Sequence, residues 1–175
     1  YVGGYSPRKN ILGILESYSL LNPTLRKNLK VVITGRKGIS YDRYKLRTEE
    51  LNISSSVIFT DFIPLEDLPI FYNACELLTY PSFYEGFGLP PLEAMACGCI
   101  VIASNMAGPT SYIKDQENGF FFKPRDGKDL NQKIEDILSM NEHQIKEIKD
   151  HAYQTAKAYD VNDISQNLVD IFNGI

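Results

Sequence analysis

Glu76-Leu-Leu-Thr-Tyr80-Pro-Ser-Phe-Tyr-Glu85-Gly-Phe-Gly-Leu-Pro90-Pro-Leu-Glu-Ala-Met95-Ala-Cys-Gly-Cys-Ile100-Val-Ile-Ala103 contains a strand, a loop, a helix and a second strand in one run. Glu76 to Tyr80 and Cys99 to Ala103 are as short as buried strands, the second of them apolar throughout. Between them, Leu89 to Cys97 reads as a helix that starts near Pro90, where proline is tolerated because its missing N–H would have no partner anyway. A strand, a crossover helix and a parallel strand make the unit from which parallel sheets are built.

The same alternation runs outward in both directions. Tyr1 to Gly3 reads as the exit of a first strand, followed by strands at Leu29 to Thr34, Val57 to Thr60 and Gly119 to Phe122. Helices are expected at Asn10 to Leu21, Tyr41 to Leu51, Pro64 to Asn73, Gly127 to Leu138, Asn141 to Ala158 and Val161 to Phe172. In the first of these, Ile11, Leu12, Leu15 and Tyr18 form one apolar stripe behind a cap at Ser6 and Pro7, and Asn22-Pro23 ends it. The ladder predicts a Rossmann-like, doubly wound parallel sheet in an α/β/α three-layer arrangement, whose ligands bind at the carboxyl ends of the strands.

Composition narrows the classes further. With 175 residues, 43% of them hydrophobic, the chain is the size of one domain and needs no disulfide or metal to hold a core. A net charge of -4, with both signs mixed along the chain, lacks the basic face of a nucleic-acid binder. No stretch approaches the ~20 apolar residues of a membrane-spanning helix. Cys75, Cys97 and Cys99 show no metal-ligand spacing and have no nearby histidine, so they read as reduced structural thiols and the metal sites as none. The opening Tyr-Val-Gly-Gly is neither a methionine start nor a signal peptide and suggests a piece of something longer.

Three loops at strand ends are candidates for chemistry. In the first, Gly3-Gly4-Tyr5-Ser6-Pro7-Arg8-Lys9-Asn10, glycines allow close backbone approach while Arg8 and Lys9 stand beside a helix N-terminus, a combination suited to an anion. The same residues would also make an ordinary tight turn with solvated cations. A second loop, Thr34-Gly35-Arg36-Lys37-Gly38, reads as a surface turn with exposed Arg36 and Lys37. The third is Tyr80 to Gly98. There Glu85 would point into the crevice above the strands, and Glu93 would fall in the first helical turn, where it can accept hydrogen bonds from two vicinal hydroxyls. Glu85 could orient sugar hydroxyls, stabilise an oxocarbenium charge or act as a general base. Two acids flanking a sugar also fit a glycosidase, and both acids could serve only to cap amides and complement the helix.

The segment Glu85 to Glu93 resembles the E-x7-E signature of retaining glycosyltransferases of family 4, and Glu-Gly-Phe-Gly-Leu-Pro-Pro-Leu-Glu-Ala-Met-Ala-Cys-Gly is among that family's more distinctive strings. The resemblance covers nearly the whole chain, from Tyr1 to Asn10, through Tyr80-Pro-Ser82, Val101 to Asn105 and Asn118-Gly119, to a last helix like the family's. It implies that residues 1–175 form the donor-binding half of a GT-B enzyme, with helix 161–173 packing toward an acceptor-binding N-terminal domain outside this chain. Lys9 would neutralise the donor diphosphate, aided by Arg8 and the Gly3-Gly4 turn. The amides around Gly86, Phe87, Gly88 and Leu89 would contact the donor, Glu93 the ribose, and Glu85 the transferred sugar. No cofactor or metal is implied, the donor being a GDP- or UDP-linked sugar. The acceptor would be a glycan or a lipid-linked glycan held by the other domain, in the cytoplasm or at the inner membrane face. Pro7 to Asn10 resembles mannosyltransferase-like members that build bacterial surface polysaccharides. The family often has arginine at Gly4, glycine at Asp61, and a glycine pair followed by Pro-Glu where this chain has Ala107-Gly108 and Thr110-Ser111. Those departures leave room for a non-catalytic nucleotide- or sugar-binding module of the same fold.

Overall fold

The computed structural model describes residues 1–106 and 108–160. Their elements follow the expected alternation: α1 (Ile11–Leu20), α2 (Pro23–Asn28), β1 (Val31–Ile33), α3 (Tyr41–Glu50), β2 (Val57–Phe59), α4 (Leu68–Ala74), β3 (Leu77–Tyr80), α5 (Leu89–Ala96), β4 (Ile100–Ser104), β5 (Phe120–Phe122), α6 (Gly127–Leu138) and α7 (Glu142–Lys157). The helix expected at Val161 to Phe172 lies outside the described residues.

All strand pairs among the described residues are parallel. β1 pairs with β2, and β3, β4 and β5 form a second group with β4 in the centre. The expected first strand is reduced to a bridge between Val2 and Thr34, supported by the Tyr1 amino group donating to the Val32 carbonyl at 2.9 Å. Counting that bridge as a strand, the chain passes outward through β1 to β2 on one side and through β3 and β4 to β5 on the other. The order therefore reverses between the Val2 segment and β3, which is where open α/β sheets bind ligands.

The pleat of β4 explains the three layers. Ile100 and Ile102 pack with Ile11, Ile14, Leu15, Tyr44, Leu130 and Ile134, whereas Val101 and Ala103 pack with Tyr72, Leu92, Met95, Ala152 and Ala156. Successive residues of a strand face opposite sides, so α1, α3 and α6 cover one face and α4, α5 and α7 the other. The helical stripes match: Leu130, Ile134 and Ile137 are buried on α6, and Ala152 and Ala156 on α7, whose Ile148 joins the α6 cluster instead.

Several expectations shift locally. The α1 stripe uses Ile14 where Leu12 was expected, and Leu12 is only half-buried. Ser6 makes no cap for α1. Instead Pro7–Lys9 forms a 3-10 turn and Asn10, in the left-handed region at φ 53, accepts a bond from the Gly13 amide. Asn22-Pro23 ends α1 but also starts α2, since Asn22 accepts from the Thr24 amide and Pro23 takes the first helical position.

Candidate functional site

The reversal in strand order brings the first and third candidate loops together. After the Val2 bridge, the chain is pinned from below by the next loop: a Cβ on Gly35, at φ 134, would lie 1.8 Å from the Gly3 carbonyl oxygen. Only glycine permits that approach. The Tyr1 hydroxyl donates to the Gly4 carbonyl at 3.0 Å, and a side chain on Gly3 would strike the same tyrosine and come within 3.8 Å of Lys9 Nζ. The 3-10 turn then turns Lys9 inward while Arg8 stays at the rim.

The third loop docks on this turn. The Phe83 amide donates to the Arg8 carbonyl at 2.8 Å, Arg8 Nη1 donates to the Tyr84 carbonyl at 3.1 Å, and the Ser104 hydroxyl at the end of β4 donates to the Ser82 carbonyl. These contacts place Glu85 against both cations. Its Oε1 lies 2.6 Å from Lys9 Nζ and 3.0 Å from Arg8 Nη1, and the side chains of Lys9 and Glu85 are only 11% and 10% exposed. The ammonium also sits 5.3 Å from the centre of the Tyr80 ring, with the phenol oxygen at 3.4 Å.

Burial opposes the charge on Glu85, but Lys9, Ser82 and Arg8 beside it outweigh that effect and hold its carboxyl below the ordinary carboxylate range. The Tyr80 phenol is pushed up, first by burial and then by the charge of Glu85. Arg8 is raised by its hydrogen bond to Glu85.

The start of α5 is fixed from the other side. Gly88, at φ 86, accepts a hydrogen bond on its carbonyl from the Tyr112 hydroxyl at 2.5 Å, and a Cβ there would crowd that hydroxyl and Pro109. Phe87, Tyr112 and Tyr159 form a ring cluster with centroids 5.4 to 5.9 Å apart. Pro90 and Pro91 have no N–H, so the donors at this helix end come from Gly86, Phe87, Gly88 and Leu89. Among the described residues none of those four amides finds an acceptor. A Cβ on Gly4 or Gly86 would meet nothing within 4 Å, so both face open ground, and Phe87 and Leu89 are partly exposed. Two cations therefore contact a buried carboxylate that stands next in sequence to four amides with no acceptor among the described residues, a set of partners for a multiply charged anion joined to a polar group.

Glu93 is placed differently from the sequence expectation. Because α5 begins at Leu89, Glu93 lies in the second turn, where the dipole acts weakly. It makes no hydrogen bond or ion pair with Lys9, Arg8 or Glu85. Instead Oε2 accepts a hydrogen bond at 2.8 Å from Tyr72 on α4, a partner that sequence reasoning missed. The contact of Tyr80 with Lys9 is likewise absent from the sequence reading, which has Tyr80 at the end of a strand and the start of the third loop. Arg36 and Lys37 are exposed, as expected.

Cys75, Cys97 and Cys99 are unpaired thiols whose ionisation burial opposes, with Cys99 pushed up to about 12. Among the described residues no group of three or more His, Cys, Asp or Glu is placed to hold a metal, and no helix is long and apolar enough to cross a membrane.

Known proteins resemble this architecture over most of its length. The fold superposes on Anabaena Alr3699/HepE, solved in complex with UDP, at a TM-score of 0.86 and 22% identity, over 99% of this chain and 47% of that one. It also superposes on the C-terminal domain of the glycosyl transferase LpcC from Francisella tularensis at 0.79 and 24%, over 90% and 83%. In sequence the chain is 39% identical over 115 residues to O-antigen chain mannosyltransferase B of Escherichia coli, covering 66% of this chain and 30% of that protein. It is 37% identical over 154 residues to the serotype-specific mannosyltransferase WbdA of Escherichia coli, covering 86% and 18%. The chain thus spans less than a third of either relative. The profile of the glycosyl transferases group 1 matches residues 1–155, and the chain belongs to that family.

Proposed function

We propose that this chain is the donor-binding half of a retaining hexosyltransferase of family 4, which moves a mannose- or glucose-like sugar from a GDP- or UDP-linked donor to a glycan or lipid-linked acceptor in polysaccharide synthesis. The observation that carries the reading is the contact of Lys9 and Arg8 with Glu85. Lys9, Arg8 and the amides of Gly86 to Leu89 hold the diphosphate and stabilise its charge as the bond to the sugar breaks. The acceptor hydroxyl attacks on the face from which the diphosphate departs, held there by a further domain. Glu85, whose cations the diphosphate draws away, faces the transferred sugar, and Glu93 binds the ribose. These fixed cations supply the role that a metal ion takes in other transferases. The mannosyltransferase names of the relatives, and a structural neighbour solved with UDP, support the donor class.

A glycosidase needs a general acid whose carboxyl is raised. Glu85 is held low and Glu93 is engaged by Tyr72, an arrangement that disfavours that reading. The test is Glu85→Ala in the complete protein, assayed for transfer from GDP-mannose and UDP-glucose. Transfer falls about 100-fold or more while diphosphate binding persists. Undiminished transfer removes Glu85 from the reaction, and binding without transfer in the parent protein favours a non-catalytic module.

A further inference from the structure

Glu93 sits one turn inside α5 and is half-buried, and Tyr72 reaches it from a different helix. Tyr72 itself is almost fully buried, packed among Leu78, Met95 and Val101 on the α4, α5 and α7 face of the sheet. A buried phenol normally finds an acceptor, and here the acceptor is a carboxylate on the neighbouring helix. The bond is charge-assisted and short, at 2.8 Å. Glutamate has three rotatable side-chain bonds, and without a partner it would sample several rotamers. The phenol fixes the plane of the carboxylate through Oε2. Among the described residues Oε1 accepts no hydrogen bond, and Oε2 keeps a second lone pair. A carboxylate held in that way presents two acceptors side by side, at the spacing of two vicinal hydroxyls.

We propose that Tyr72 is a positioning residue that orients Glu93 for a pair of vicinal ribose hydroxyls, so that the Tyr72–Glu93 pair sets the preference for ribonucleotides over deoxyribonucleotides. The inference rests on the donor-site reading above. Tyr72 does not touch the ligand. It acts by removing the rotational freedom that Glu93 would otherwise lose on binding, a cost that a ligand with only one hydroxyl recovers less fully.

The test is calorimetric titration of the protein with GDP, dGDP, UDP and dUDP, repeated on Tyr72→Phe, Glu93→Gln and the double variant. Phenylalanine keeps the buried ring and removes only the hydroxyl. Thermal unfolding of each variant checks the fold. For whichever base binds, Tyr72→Phe weakens the ribonucleotide about three- to tenfold, in line with a charge-assisted hydrogen bond that acts at one remove. It weakens the deoxynucleotide less, so the ribo-to-deoxy ratio falls. In the Glu93→Gln background the Tyr72 substitution adds little, because the two act as a unit. An unchanged ratio overturns the proposal, whether Tyr72→Phe leaves all affinities alone or lowers both sugars equally, the latter being the signature of a purely structural role. If the parent binds none of the four diphosphates, the donor-site reading falls and this inference falls with it. If the parent binds them but the ratio ignores Tyr72, only this inference falls.

Discussion

Replacing Lys9 by methionine keeps the aliphatic stem and deletes the charge that holds Glu85. The ammonium lies 2.6 Å from Oε1 with both side chains about nine-tenths buried, so water cannot readily take its place. Removing one partner of a buried ion pair costs about 3–5 kcal/mol. Arg8, 52% exposed and 3.0 Å from the same oxygen, remains. Glu85 can also take up a proton, and together these lower the expected cost to about 2–3 kcal/mol at neutral pH. For a chain of this length, thermal unfolding followed by circular dichroism should then drop by about 5–10 °C. The pH dependence has a definite sign. In the parent, Glu85 is held below its ordinary value of 4.5, so its contribution is present above that value and lost as pH falls through the lowered one. The deficit of Lys9→Met is therefore largest at neutral pH and shrinks in acid. Adding Glu85→Gln restores most of the loss, because no charge is left stranded. An equal deficit at neutral and acid pH, unrelieved by Glu85→Gln, would refute the ion pair as the cause.

Two further substitutions probe the frame of the fold. Gly35→Ala places a carbon 1.8 Å from the Gly3 carbonyl oxygen at a left-handed φ of 134, and should cost roughly 3 kcal/mol or more in urea unfolding. A loss below about 0.5 kcal/mol would mean that the two loops do not pack backbone to backbone. Asn141→Ala removes the side-chain oxygen that accepts from the Gln144 amide, leaving only the bond that the backbone amide at 141 donates to Gln144. It should cost about 1 kcal/mol, most of which Asn141→Ser recovers.

Much of the fold was legible because the sheet is buried on both faces. Runs such as Ile100 to Ala103 must be apolar throughout, and α6 carries an apolar stripe that ends where the helix ends. What misled was local chemistry with two meanings. Asn22-Pro23 stops one helix and opens another, and Ser6-Pro7 resembles a cap while the actual cap is Asn10, after a 3-10 turn. Glu93 falls just past the first turn because α5 starts one residue earlier, at Leu89 rather than at Pro90. Lys9, Arg8 and Glu85 were each singled out, but their mutual contact spans more than seventy residues of sequence and depends on where strand order reverses. The Tyr72–Glu93 bond was invisible for a different reason, since a tyrosine at helical spacing reads as core.

The central claim is that Lys9, Arg8 and Glu93 line a nucleoside diphosphate site. Its most direct test is titration of the protein with GDP, UDP and ADP, each with and without magnesium, and then of Lys9→Ala and Glu93→Ala with whichever ligand binds best. The account predicts one preferred diphosphate, bound without need of magnesium and weakened about tenfold in each variant. Binding that ignores both substitutions, that requires magnesium, or that is absent for all three nucleotides would contradict it.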